Sequence, residues 1–255
     1  MTLEIVFLTL IAFIAGSFSS MLGVGGGFIY VPFLHLMSSL PLGLAVGSSK
    51  VAVMFTALSA SLSYLRKGLV KLKVCALMLS ASIPGTILGV YLIDFIDPKP
   101  VKVIFSIVAI YASIQMMGLG RRVFKVKASR KLPLSLPFSF AAGLIAGLTG
   151  IGGGFLFTPI LNLVVGLSMH FSVASSMFLI FFTSLAASIN HFRLGHVHLF
   201  YAAPLVAGVL FGGFMGAKIV VKVEERKLKQ AFSFVLLFVS LLMLLSSLDW
   251  VLMLP

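Results

Sequence analysis

Charge is scarce in this sequence. Asp, Glu, Lys and Arg make up 10% of its 255 residues, where a soluble domain carries about 25%. Acids are rarest. The six carboxylates, Glu4, Asp94, Asp97, Glu224, Glu225 and Asp249, all fall at the ends of apolar stretches or between them, so none is placed to bind a cation or relay protons at mid-membrane. A cation pathway is disfavoured. Cys75 is the one thiol, which excludes an intrachain disulfide and a cysteine cluster for a metal. No G-x-x-x-x-G-K-[ST] stretch occurs, so ATP is not an internal energy source and no cofactor is expected. The serines inside the apolar stretches lack a His or Asp partner at a suitable depth, which argues against an intramembrane enzyme.

Apolar residues are abundant. They form 60% of the chain, with 24 Phe, and mean hydropathy is +1.18. Stretches long enough to cross a hydrocarbon core of about 30 Å occupy roughly 4–22, 42–65, 74–93, 101–119, 133–150, 169–192, 199–221 and 228–254, and two shorter runs lie near 27–39 and 154–166. An all-α polytopic membrane protein is expected. The start of the chain lacks the basic region and cleavage site of a signal peptide, so the first segment is expected to stay in the mature protein. The formal charge of +13 sits in short loops without stacking or zinc motifs, so it reads as a topology signal and not as a nucleic-acid footprint. The expected surroundings are a lipid bilayer. A homo-oligomer is left open.

The chain repeats itself. "MLGVGGGFIYVPFL" begins at Met21 and "LTGIGGGFLFTPIL" at Leu148, 127 residues later. The same shift, without a gap, aligns Gly16 with Gly143, Pro32 with Pro159, Ser48 and Ser49 with Ser175 and Ser176, Thr56 with Thr183, Arg66 with Arg193, Gly85 with Gly212 and Gly89 with Gly216. Residues 1–120 are read as an N-terminal repeat, 121–132 as a basic cytoplasmic linker and 133–255 as a C-terminal repeat, joined in one membrane domain. The two repeats are expected to be inverted. Arg66–Lys73 holds four bases and Arg121–Lys131 six, so both are cytoplasmic by the positive-inside rule. In the second half the pattern flips, with one Arg in Arg193–His198 and four bases in Lys222–Lys229. Each half then crosses an odd number of times, and both termini lie outside the cytoplasm. Five crossings, or three with a re-entrant hairpin, satisfy that equally.

Three consecutive glycines favour a break, because each costs up to about 1 kcal/mol in a helix relative to alanine. Breaks in hydrocarbon persist only where the freed backbone is buried in protein or lines a cavity. Gly25, Gly26 and Gly27, with Gly152, Gly153 and Gly154, are therefore expected to point inward, where helix N-termini and exposed amides suit an anion. The alternative is close helix packing, to which the four-residue spacings Gly85/Gly89 and Gly212/Gly216 are better assigned. Ser49, Ala52, Thr56, Ser59 and Ser63 fall on one helical stripe, and its repeat counterpart reads Ser176, Leu179, Thr183, Ala186 and Asn190. The hydroxyls of Ser48, Ser49, Thr56, Ser175, Ser176 and Thr183 can donate to an oxyanion or simply bond between helices. Lys50, whose repeat counterpart is Met177, either faces the cavity as a full positive charge or snorkels to the interface. His191, His196 and His198 cluster at a segment end but supply too few ligands for a closed metal site, and none is expected.

GxGGGFxxxP in both halves, the "SSK" or "SS" opening the next long helix, and the exits "SYLRKGLVK" and "NHFRLGHVH" resemble the TauE/SafE family of sulfite exporters over nearly the whole chain. The resemblance implies a multi-pass inner-membrane transporter of sulfur-containing anions such as sulfite or sulfonates, with the motif on Gly25, Gly26, Gly27, Pro32, Gly152, Gly153, Gly154 and Pro159. The expected function is secondary transport, in the export direction, of a small anion by alternating access. The alternatives are an anion channel, an intramembrane enzyme on a similar scaffold, or transport of an unrelated small solute.

Overall fold

A computed structural model describes residues 2–37, 40–93, 95, 98–118, 132–149 and 153–251. Among these residues every regular element is helical. In chain order they are α1 (Thr2–Leu22), α2 (Gly27–Met37), α3 (Leu42–Arg66), α4 (Leu72–Leu92), α5 (Pro98–Met117), α6 (Ser135–Thr149), α7 (Gly154–Pro159), α8 (Met169–Arg193), α9 (Leu199–Ile219) and α10 (Glu225–Val251). The cytoplasmic linker expected at 121–132 lies outside the described residues, apart from Leu132. Among the described residues six helices contain stretches long and apolar enough to cross a membrane, namely Ile5–Leu22, Gly43–Arg66, Leu72–Leu92, Met169–Arg193, Leu199–Lys222 and Glu225–Leu245. This is a polytopic membrane protein. Its outer surface is accordingly apolar, with Ile104, Ile107, Phe211, Phe234 and Phe238 all exposed.

Local sequence explains where the helices stop. Gly68 and Gly195, equivalent in the repeat, follow α3 and α8 in the left-handed conformation at φ 66° and 72°, the usual way for a helix to end on glycine. Pro159 has no amide hydrogen to give, and the helix after it widens into a π-helical stretch, Ile160–Val165. At 11 residues, α2 extends about 16 Å, too short to cross hydrocarbon by itself.

The two sequence halves exchange partners. Helix α1 packs along α9, and α4 packs along α6. A methyl group on Gly208, Gly212 or Gly216 of α9 would strike the carbonyls of Thr9, Phe13 and Ser17 in turn, so α9 and α1 run in the same direction in near-contact. On α4, Gly85 and Gly89 meet the carbonyls of Phe140 and Leu144 of α6 in the same manner. The four-residue glycine pairs are thus packing surfaces, and close approach lets backbones attract through dispersion. Helices α3 and α8 pack on each other, as do α5 and α10.

Candidate functional site

The glycine motifs meet where α3 and α8 cross. Chain leaves α1 through Gly23, Gly25 and Gly26 at φ 73°, 85° and 87°, a run of left-handed backbone that side chains oppose. The Gly26 carbonyl then accepts the amides of Ile29 and Tyr30 and opens α2 at Gly27. A methyl on Gly25 would sit 3.2 Å from Val53 and 3.1 Å from Ile180, two residues 127 apart in sequence, one on α3 and one on α8. From the second half, Gly153 lies under the Phe157 ring, and Gly154 abuts the Gly23 carbonyl and the backbone of Val24. Gly152 lies outside the described residues. The aromatic of each motif completes the crossing, Phe28 meeting Phe155 edge to face at 4.9 Å between ring centres, an arrangement favoured by the ring quadrupoles.

Serines fasten the crossing at both ends. Ser48 Oγ accepts the His198 amide at 2.9 Å, and Ser175 Oγ accepts the Lys71 amide at 3.1 Å. Each residue in the second bond is the repeat equivalent of one in the first. Because the start of α3 meets the loop after α8, and the start of α8 meets the loop after α3, the two helices are antiparallel. Ser176 Oγ and Thr158 Oγ1 both donate to the Gly23 carbonyl, at 2.8 and 3.1 Å. Ser49, Thr56 and Thr183 donate within their own helices to the carbonyls of Val46, Ala52 and Leu179. All six hydroxyls are buried, and each has a backbone partner, as buried polar groups require.

Lys50 does not snorkel. Its side chain is 1% exposed, and Nζ donates to the Ala146 carbonyl at 2.7 Å. That carbonyl belongs to the last turn of α6, where helix acceptors have no partner within the helix and the dipole favours a cation. At the same end of the α3–α8 pair His191, on the last turn of α8, is fully buried. The His196 ring lies 5.7 Å from the His191 ring, centre to centre. Among the described residues, neither nitrogen of His191 nor Nδ1 of His196 has a hydrogen-bond partner.

At the far end of the α3–α8 pair the equivalent positions are apolar or satisfied. Met177 stands for Lys50 and is buried, while Tyr64 stands for His191 and donates from its hydroxyl to the Ser20 carbonyl at 2.8 Å. Bases collect just beyond. Lys67 Nζ reaches the Ala217 carbonyl at 3.0 Å, the Lys71 ammonium lies 4.0 Å above the Phe171 ring, and Glu225 accepts the Met169 amide. The basic loops of the two halves therefore share one end of the molecule. Burial, and then the charges of Lys218 and Lys222, push the Lys67 ammonium below the ordinary lysine value.

An open apolar cleft of about 490 Å³ lies beside the cluster, lined by Val51, Met54, Leu185, Ser188, Ile189 and Phe192, with Arg193 at its edge. Among the described residues no three His, Cys, Asp or Glu side chains converge as a metal site would require. The remaining histidines are engaged with carbonyls, His35 with Leu40 and His170 with Val223. Sequence reasoning set Lys50 apart but weighed His191 only as a metal ligand. The available signal was position, since His191 falls 127 residues after Tyr64 on an otherwise buried helical face.

A polytopic helical bundle with broken helices meeting at its centre is the architecture of a membrane transporter. The chain belongs to the TauE/SafE sulfite exporter family, whose match covers residues 8–243. It is 30% identical to "Probable membrane transporter protein YunE" of Bacillus subtilis, over 93% of this chain and 96% of that one. It is also 31% identical to a "Probable membrane transporter protein" of Haemophilus influenzae, over 82% of each, and 24% identical to YdhB of Bacillus subtilis, of the same description, over 87% and 93%. No solved structure matches it.

Proposed function

We propose that the protein is a secondary transporter that exports small sulfur-containing anions, such as sulfite or organosulfonates, by alternating access between two inverted halves, 1–120 and 133–255. The observation that carries this reading is the fully buried Lys50 ammonium, which has a carbonyl partner and, among the described side chains, no carboxylate near it. A positive charge placed in hydrocarbon costs about 2.5 to 3.5 kcal/mol on insertion scales, and an amine buried with no acid to offset that cost is suited to a negative solute that does. The reciprocal bonds Ser48 to His198 and Ser175 to Lys71 support the inverted relationship. So does the exchange of partners by α1 and α4. With both basic loops at one end, that end is cytoplasmic in a cell inner membrane, and both termini face away from it. Rocking the α3–α8 pair about the glycine crossing would expose the buried groups to each side in turn. The hydroxyls of Ser48, Ser49, Thr56, Ser175, Ser176 and Thr183, with Gly25–Gly27 and Gly152–Gly154, would then exchange backbone partners for the oxyanion.

The test is thermal stabilisation of the purified protein by sulfite, sulfate, methanesulfonate, taurine and chloride, since a ligand of the native state raises its stability with concentration. A sulfur oxyanion that shifts the parent but not Lys50→Met is the expected outcome. Stabilisation by a cation or a neutral solute alone would overturn the anion reading.

A further inference from the structure

We propose that His191 and His196, set against Lys50 at one end of the α3–α8 pair, take up a proton together with the transported anion. The inference rests on the anion-transport reading and adds the identity of a coupling ion. Its basis is an imbalance of hydrogen bonding. Three ring nitrogens, both of His191 and Nδ1 of His196, are buried without a partner among the described residues, and His191 is 0% exposed. A neutral imidazole holds one donor and one acceptor, whereas the protonated ring holds two donors. Lys50 adds a third source of donors, since its ammonium carries three and the Ala146 carbonyl takes one. This constellation offers hydrogen atoms to an acceptor-rich guest. A tetrahedral or pyramidal oxyanion is such a guest.

Charge supplies the coupling. A second positive charge beside Lys50 is unfavourable in a water-poor pocket, so protonation of the imidazole pair and entry of an anion each favour the other. The reciprocity is thermodynamic: if a proton raises anion affinity, the anion raises proton affinity by the same factor. Lys50, buried at the same end, is the rival ionisable group, and uptake that survives the loss of both imidazoles would belong to it. Among the described residues, those gathered with His191 at this end are Lys50 from α3 and His196 from the following loop. Its own helix contributes Arg193, exposed one turn-end away, and the loop contributes His198, whose ring leans on Tyr201. Helix α4 carries Cys75 at the opposite end, on the Ser175 carbonyl, and the charged first turn of α10 lies there too, through Glu225 and Met169. Helix α6 presents the Ala146 carbonyl alone. The equivalent positions at the other end, Met177 and Tyr64, offer no imidazole. Proton and anion would therefore bind together at one end of the pathway and travel in the same direction.

Calorimetric titration of the full chain in lipid nanodiscs tests this, with methanesulfonate and sulfite as probes in two buffers of different ionisation enthalpy. Methanesulfonate does not titrate between about pH 5 and 8, the range in which histidine changes charge, so any proton taken up belongs to the protein. The parent should take up a fraction of a proton per anion bound, and its affinity should weaken about tenfold from pH 6 to pH 8. His191→Tyr installs the residue of the equivalent position, and His196→Gln alters only the loop. Each should bind the anion with proton uptake reduced, and the double variant with uptake abolished and affinity independent of pH. Anion binding without proton uptake in the parent, or uptake that survives the double variant, overturns the coupling while leaving anion transport intact. If neither probe binds the parent at any pH, the anion reading fails and the coupling with it.

Discussion

The two ends of the α3–α8 pair are assembled from residues 127 apart in the sequence, yet one is polar and unsatisfied while the other is apolar and closed. At both ends a serine near the start of one helix receives an amide from the loop that follows the other. The frame is common. What differs is the filling. Lys50, His191 and His196 stand at one end, whereas Met177, Tyr64 and Leu69 stand at the other. The positions alike at the two ends are the ones whose bonds join the first half of the chain to the second, and the residues beside them differ in polarity.

Breaking the shared frame should have the largest effect. Gly154→Ala would drive a methyl group into the Gly23 carbonyl and Val24, where both motifs are held by backbone. A destabilisation of about 3 kcal/mol is expected, the upper part of the range for overpacking, with loss of any anion response. Gly68→Ala is the control, because its positive φ is strained but its surroundings are open, and it should cost about 1 kcal/mol. Thermal unfolding in detergent distinguishes them, and equal losses would show that the motif crossing is not the tight point.

Exchanging the fillings sharpens the comparison. Met177→Lys introduces an ammonium where the equivalent acceptor, the Ser19 carbonyl, already receives the Val24 amide at 3.0 Å. It should cost about 2.5 to 3.5 kcal/mol, the insertion penalty without relief. Lys50→Met should be much milder in stability, since it removes a desolvated charge along with the bond to Ala146. Equal penalties for the two swaps would mean that the ends do not differ in how they hold a cation. Tyr64→Phe should be smaller again. It deletes one buried hydrogen bond, to Ser20, and such bonds between membrane helices average about 0.6 kcal/mol. A loss above about 2 kcal/mol would place the closed end under more strain than its geometry shows.

Much of the frame was legible in advance because the sequence repeats its motifs at one constant spacing. The offset of 127 residues paired Ser48 with Ser175 and Gly85 with Gly212 in the sequence, and the structure uses each pair in matching contacts. Periodicity says nothing about which half a helix packs against, so the exchange of α1 and α4 between halves could not be read from it. Nor could the direction of Lys50. A lysine two turns into a helix can reach water or turn inward, and the choice depends on the Ala146 carbonyl, 96 residues away in sequence. His191 was hidden by the same ambiguity. A segment end exposes some faces and buries others, and a single chain gives no register of α8 against α3. The π-helical stretch after Pro159 also had no local signal beyond the proline.

The smallest expected effect lies at the basic end and depends on pH. Lys67 is exposed, but partial burial and the neighbouring Lys218 and Lys222 charges hold its ammonium below the ordinary lysine value. A base with a lowered value in the folded state binds its proton less well there than in the unfolded chain, so protonation works against folding. That opposition is fully present below the lowered value and is relieved as pH rises from it toward the ordinary value near 10.5. Lys67→Gln removes the penalty at all pH values, together with the bond to Ala217. The stability of the parent relative to the variant should therefore rise as the medium becomes alkaline, by a small amount that added salt reduces. Parallel melting curves of parent and variant across that range check it. A relative stability that falls with rising pH would mean that the Ala217 bond, made by the charged form, outweighs the repulsion. The basic end would then be held together by its lysines instead of merely tolerating them.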